Sequence, residues 1–309
     1  MQKTTLTRRA FFVASCLLSL ATFASVGYAQ DETKVQAITD IVYKKVGDRE
    51  IKLNLYLPVK DGKTIKGEPL LIWLDSGCWY SGDPGDGFVW KALGAVERGF
   101  AVASVSHRPI SESAFPAPME DVRAAVRFLR KHAEEYGYDP ERFAVSGASS
   151  GGHLSLTLGI SDEKSPFNVG DDLDVSGQVQ RVIDFYGPTD LGIVFERYPQ
   201  QALDCIYLAV GMERSASDKN NAAAYSELLE RAKKFSPITY VDSNFAPTLI
   251  LQGTVDPVVP ASQSALFFEE LRVAGVRSQI MYSDGGVHDL GSLFPRELMA
   301  REIFEFLRW

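Results

Sequence analysis

Six short, almost unbroken apolar runs set the terms on which this chain can fold: 70–74, 101–105, 143–145, 181–185, 248–251 and 279–282. Strands covered on both faces of a parallel sheet read as such runs, whereas a half-exposed strand alternates. Helical patterns lie between them. Residues 119–136 set Val122, Ala125, Val126 and Leu129 on one face with charges on the other, and 261–274 and 298–307 behave similarly. Strands alternating with helices predict an α/β, mostly parallel, doubly wound sheet with right-handed crossovers and helices on both faces. Ahead of it, 40–47 and 51–57 predict a strand pair, the second with Ile51, Leu53, Leu55 and Leu57 in alternation. Residues 190–236 hold scattered aromatics and no clear strand. They predict a helical, lid-like insertion over the sheet's carboxyl edge, where ligands bind in such folds.

The first 29 residues stand apart. Lys3, Arg8 and Arg9 are followed by the apolar stretch 10–26, and Gly27-Tyr28-Ala29 puts small residues at −3 and −1 of a cleavage site. This is the anatomy of a signal peptide, and the apolar stretch is short for a membrane span. Thr7-Arg8-Arg9-Ala10-Phe11-Phe12 also resembles a twin-arginine export signal. The expectation is a secreted or periplasmic protein with one catalytic domain over 30–309 and no stable membrane insertion after cleavage. Removing three basic and no acidic residues leaves 29 Lys+Arg against 40 Asp+Glu, a net charge of −11. That balance argues against nucleic acid, which needs a basic face. Two cysteines remain, Cys78 and Cys205. They are open to pairing in an oxidising compartment or to standing as two buried thiols.

The sharpest chemical signal is Gly147-Ala148-Ser149-Ser150-Gly151, with a strand pattern just before it and Gly152-His153-Leu154-Ser155-Leu156 opening a helix after it. Strand, tight turn and helix form a nucleophile elbow that pushes the serine hydroxyl out. A serine needs a base to take its proton. Of four histidines, His132 lies in an amphipathic helix as a solvated side chain. His153 points away from an elbow serine one turn earlier, and His107 precedes the serine in sequence. His288 follows every strand, in the Gly-rich loop 285–289, the usual place for the base. The base needs a carboxylate to fix its tautomer. Asp256, at the tip of the turn after strand 249–253, is the first candidate, with Asp190 and Asp289 behind it; Asp190 suits a helix cap better. The Ser150 amide, beside the nucleophile, supplies one donor for a developing oxyanion. Further donors are expected from the loop Asp75-Ser76-Gly77-Cys78-Trp79, which follows a strand.

Together with Phe115-Pro116-Ala117, Asp121, Tyr138-Asp139-Pro140 and Tyr186-Gly187-Pro188-Thr189-Asp190, these residues resemble the α/β-hydrolase superfamily. The likeness is to its esterase and lipase branch with an H-G-G-G-W oxyanion loop, including the acetyl-xylan and feruloyl esterase-like group, and it covers roughly 40–309. It implies Ser149 as nucleophile, Asp256 as acid, His288 as base and oxyanion amides near Ser76, Gly77 and Ser150. The sequence departs from that pattern at Asp75, where the loop histidine usually stands. It departs again at Ser76 and Cys78 in place of glycines, and at Gln252 in place of the histidine before the acid. Asp75 is expected to turn away from the oxyanion and order the loop by hydrogen bonds.

The expected activity is hydrolysis of carboxylic esters through an acyl-enzyme, with no metal or organic cofactor. Export and the family group imply short acyl or feruloyl esters, on small molecules or linked to polysaccharide. Trp79, Tyr80, Tyr186 and Tyr198 are the aromatics expected at the pocket. The alternatives are an amidase, formamidase or peptidase on the same fold, and a catalytically inactive carbohydrate-binding protein.

Overall fold

Every residue of strand β4 (Glu68–Leu74) beyond its first is buried, and its side chains alternate between two separate cores. Leu70, Ile72 and Leu74 enter one; Leu71 and Trp73 enter the other. A strand with apolar layers on both faces belongs in the middle of a covered sheet. The computed structural model describes residues 34–80, 83–84, 94–197 and 204–309. The signal segment expected over 1–29 and Tyr198 lie outside them. The described residues pack as one unit.

Among the described residues the sheet has nine strands. Besides β4 they are β1 (Lys34–Val46), β2 (Arg49–Lys60), β3 (Lys63–Thr64), β5 (Ala101–Val105), β6 (Tyr138–Ala148), β7 (Arg181–Phe185), β8 (Thr248–Gly253) and β9 (Ser278–Ser283). Their order is β1-β2-β5-β4-β6-β7-β8-β9, with β3 beside β2. From β5 to β9 neighbours are parallel; β2 runs antiparallel to β1 and β5. The strand pair expected at 40–47 and 51–57 is therefore longer than its alternation shows.

Helices α1 (Ala117–Lys131), α3 (Ser150–Gly159), α7 (Ala261–Val273) and α9 (Arg296–Phe306) cover the faces. The helix expected over 119–136 is two. α1 stops at His132, and the single turn α2 (Ala133–Tyr136) ends on Gly137 in the left-handed region at φ 92°. His132 is half-buried rather than solvated. Its ring stacks on Phe128 with centroids 4.1 Å apart, and its Nδ1 hydrogen-bonds with the Phe128 carbonyl at 2.8 Å. The charged face of α1 is also not a solvent face. Arg123 and Arg127 are each 1% exposed. Their guanidiniums are tolerated in the interior because backbone carbonyls accept their N–H groups: Arg123 donates to Ile160, and Arg127 to Asp171 at 2.9 Å.

Residues 190–236 carry α4 (Leu191–Arg197), α5 (Asp204–Ala209) and α6 (Ala222–Lys234). Asp190 caps α4, accepting from the amides of Gly192 and Ile193 at 2.9 and 3.1 Å.

Candidate active site

β6 ends at Ala148, and α3 begins at Ser150. Ser149 makes the reversal alone, at φ 55° and ψ −117°, a left-handed backbone that a side chain rarely adopts. Its N–H donates to the Phe185 carbonyl at 2.9 Å, tying the turn to β7. The glycines around it are required by contact. A Cβ on Gly151 would stand 2.2 Å from the Leu74 carbonyl oxygen, and one on Gly147 would stand 2.4 Å from that of Gly151. Cβ atoms on Gly152 and Gly187 would meet Asp184 Oδ1 at 2.3 and 2.5 Å.

His288 and Asp256 reach this turn from the loops after β9 and β8. Ser149 Oγ lies 2.9 Å from His288 Nε2, and His288 Nδ1 lies 2.7 Å from Asp256 Oδ2. The carboxylate accepts a hydrogen bond from Nδ1–H, which leaves the Nε2 lone pair facing the serine hydroxyl. Asp256 is itself held: Oδ1 accepts from the amides of Val258 and Val259 at 2.8 and 2.9 Å. Gln252, fully buried, donates to Asp256 Oδ2 at 3.3 Å, and its Oε1 accepts from the Ser264 hydroxyl at 2.8 Å. The side chain at the departure from H-G thus anchors the carboxylate, a role that Gln252 did not announce in the sequence.

Tyr186 corrects an expectation. It is 4% exposed and does not line the cavity at Ser149; its ring packs on His288 with centroids 4.5 Å apart. Burial pushes its phenol above the ordinary range. Beneath the elbow, Asp184 is fully buried. Its Oδ1 accepts from the Gly187 amide at 2.9 Å, and its Oδ2 has no hydrogen-bond partner among the described residues. Desolvation pushes its carboxyl up to about 8, so it is a neutral acid at pH 7.

In the 75–80 loop, the Asp75 carboxylate accepts from the Ser76 amide at 2.8 Å. Ser76 therefore departs from its expected role, because its N–H is already committed to that carboxylate. The amides of Gly77 and Ser150 are engaged by no described residue. Gly77, Cys78 and Trp79 all have positive φ, at 114°, 57° and 58°. Two features hold this backbone in place. Cys78 is disulfide-bonded to Cys205 of α5, with Cα atoms 5.9 Å apart. The Trp79 ring meets Phe115 and His153 edge-on, each at 5.2 Å between centroids. His153 is buried on that cluster, its Nε2–H donating to the Phe235 carbonyl at 2.9 Å, and desolvation lowers its pKa to about 4.

A cavity of about 30 Å³ opens beside Ser149, walled by Cys78, Trp79, Val194, Ile206 and Val258. Tyr80, also expected there, is 45% exposed and faces a different groove. Among the described residues, no group of three or more His, Cys, Asp or Glu is placed to hold a metal ion. No described helix is long and apolar enough to cross a membrane.

The BD-FAE family model matches residues 53–271, from within β2 to within α7. The chain belongs to the BD-FAE family. This BD-FAE chain is 26% identical over 216 residues to a probable carboxylic ester hydrolase, LipM, of Mycobacterium tuberculosis, covering 70% of the chain and 47% of that protein. It is 28% identical over 257 residues to an ethyl acetate hydrolase of Pseudomonas putida, covering 82% and 75%. The chain spans about half the length of the mycobacterial relatives it matches. Among solved structures, the propionate-bound esterase Est2 of Thermogutta terrifontis superposes with a TM-score of 0.68 at 26% identity, over 89% of this chain and 93% of that one. A bifunctional GH43-CE protein of Bacteroides eggerthii gives 0.71 at 27%, over 88% and 37%. The BD-FAE chain has the α/β-hydrolase fold, a mostly parallel sheet with helices on both faces.

Proposed function

We propose that this BD-FAE chain is an exported serine esterase that hydrolyses short-chain carboxylic esters, with sugar-linked acyl groups as its substrates. The observation that carries the reading is the relay of Ser149 Oγ, His288 Nε2 and Nδ1, and Asp256 Oδ2, with links of 2.9 and 2.7 Å at the tip of a strained turn. Ser149 Oγ attacks the ester carbonyl as its proton passes to His288 Nε2. Asp256 stabilises the imidazolium that forms. The Gly77 and Ser150 amides receive the oxyanion. The tetrahedral intermediate collapses, His288 gives the proton to the departing alkoxide, and Ser149 is left acylated. A water then repeats the sequence and releases the acid.

The cavity favours a short acyl group. At about 30 Å³ it is an order of magnitude below the ~300–1,000 Å³ of drug-sized ligand sites. An acetyl-sized group suits it better than an aromatic feruloyl group. The relatives named for ethyl acetate and found with propionate agree with that size. The basic start, apolar stretch and small-residue cleavage site of 1–29 support export.

The test uses p-nitrophenyl acetate, p-nitrophenyl butyrate and methyl ferulate as substrates. The expected order of kcat/KM is acetate, butyrate, ferulate, and Ser149→Ala lowers the acetate rate by at least about 10³-fold. A wild-type rate in Ser149→Ala, or a folded wild type that neither turns over ester nor labels with a fluorophosphonate, overturns the proposal.

A further inference from the structure

The cavity beside Ser149 takes its walls from segments far apart in sequence, and one covalent bond joins two of them. Cys78 walls it from the 75–80 loop, and Ile206 walls it from α5. Ile206 directly follows Cys205, so the Cys78–Cys205 bridge fixes how far the α5 wall stands from the loop wall, with 5.9 Å between the Cα atoms at its ends. Val258 and Val259 wall the cavity from the acid turn, where their amides are held by Asp256 Oδ1 at 2.8 and 2.9 Å.

α5 has six residues, Asp204–Ala209. A helix that short has no stability of its own and stays where its neighbours hold it. Its far end is held through main chain: the Phe115 amide donates to the Ala209 carbonyl at 2.9 Å, and Arg231 of α6 donates to the carbonyls of Val210 and Gly211 at 3.3 Å each. Its middle packs through Tyr207, whose ring centroid lies 4.9 Å from that of Phe195 in α4. The near end carries the cavity wall. There Asp204 pairs with Arg214 at 2.6 Å, but both side chains are in solvent and both belong to the same insertion, so the pair contributes little to where that end sits. The bridge holds it covalently to the 75–80 loop, and Cys205 and Ile206 are both buried. With α5 anchored at Ala209 and latched at Cys205, the depth of the cavity follows the latch.

Small changes in that depth matter. An apolar pocket separates substrates that differ by one methylene by about 10–200-fold. In a cavity of about 30 Å³, a wall displaced by the width of a methyl group changes which acyl chain fits.

We infer that the Cys78–Cys205 bridge sets the acyl-chain limit of the esterase, by holding Ile206 of α5 against the cavity beside Ser149. The inference rests on the esterase reading above and adds to it the element that determines acyl length. The test measures kcat/KM for p-nitrophenyl acetate, butyrate and hexanoate on the wild type, on the wild type treated with a phosphine reductant, on Cys205→Ser and on Ile206→Ala. Thiol titration reports whether the bridge is open. The expected result is a ratio of hexanoate to acetate that rises about tenfold in the reduced wild type and in Cys205→Ser, through a lower KM for hexanoate. Reductant leaves the ratio of Cys205→Ser unchanged. Ile206→Ala keeps the bridge and raises the same ratio by cutting back the wall itself, which gives a reading even where Cys205→Ser fails to fold. An equal fall for all three esters once the bridge is open, as lost stability alone would give, overturns the inference and leaves the esterase standing. So does an unchanged chain-length profile in Ile206→Ala with acetate still hydrolysed. Loss of all ester turnover in the wild type overturns the esterase reading instead.

Discussion

Replacing Cys205 with serine cuts the covalent tie between α5 and the 75–80 loop, and the cost follows from sequence separation. The bridge joins positions 127 apart. Loop-closure entropy over that span gives about 5 kcal/mol as an upper value, with native bridges in practice falling near 2–5 kcal/mol. Serine is almost the size of cysteine and the site is buried, so little cavity is created and the loop entropy dominates. In a chain of this size each kcal/mol moves Tm by about 2–4 °C, so a fall of about 10 °C is expected. Thermal unfolding with and without a phosphine reductant isolates the cause. Reductant should bring the wild type to the temperature of Cys205→Ser and leave the variant unchanged. A second effect reaches the chemistry. Cys78 follows Gly77, whose amide faces the developing oxyanion in the proposed mechanism, and release of the bridge lets that donor wander. A fall in kcat on p-nitrophenyl acetate of about tenfold is expected, well short of the 10²–10³ for a donor removed outright. If Cys205→Ser melts with the wild type, or if reductant shifts the variant as far as the wild type, the reasoning about the bridge is wrong.

Three further outcomes are expected. Asp184 holds its proton in the folded chain up to about pH 8, whereas the unfolded chain releases it near 3.9, so rising pH destabilises the fold by about 1.4 kcal/mol per unit through that window. Asp184→Asn removes this slope, and urea unfolding should show its advantage over wild type growing from pH 5 to pH 8; a constant gap refutes it. Gly151→Ala places a methyl 2.2 Å from a backbone oxygen and should cost more than about 4 kcal/mol, seen as loss of soluble folded protein; a Tm within about 4 °C of wild type contradicts the contact argument. Asp75→Asn keeps an acceptor for the Ser76 amide and should lower kcat only a few-fold, whereas a large rate increase would mean that the native carboxylate opposes the oxyanion.

The parts that the sequence makes legible are those decided locally. The run 70–74 reads as a central strand because both of its faces are apolar, and it lies between β5 and β6. Gly147, Gly151 and Gly152 mark the elbow because no other residue fits against the Leu74 and Asp184 oxygens. The meeting of Ser149, His288 and Asp256 follows from few histidines and the order of turns. What stayed hidden depends on distant partners. Arg123 and Arg127 look like solvent-face charges until the carbonyls of Ile160 and Asp171 are brought over them. Tyr186 looks like a pocket aromatic, but the loop after β9 lays His288 against its ring. Ser76 looks like an oxyanion donor, but its neighbour folds back and accepts the hydrogen bond of its amide. The pairing of Cys78 with Cys205 needed the path of α5 to bring them together.

At the elbow, main chain rests directly on main chain, with no layer of side chains between Gly151 and Leu74. This divides the surroundings of Ser149 into positions closed to variation and positions open to it. A saturation library should return only glycine at 147, 151, 152 and 187. Val194, Ile206 and Val258 face the same cavity from segments outside that contact, so size changes there leave the elbow untouched. In the proposed esterase, acyl preference is therefore free to drift during divergence, or to be redesigned, while Ser149 stays in register with His288.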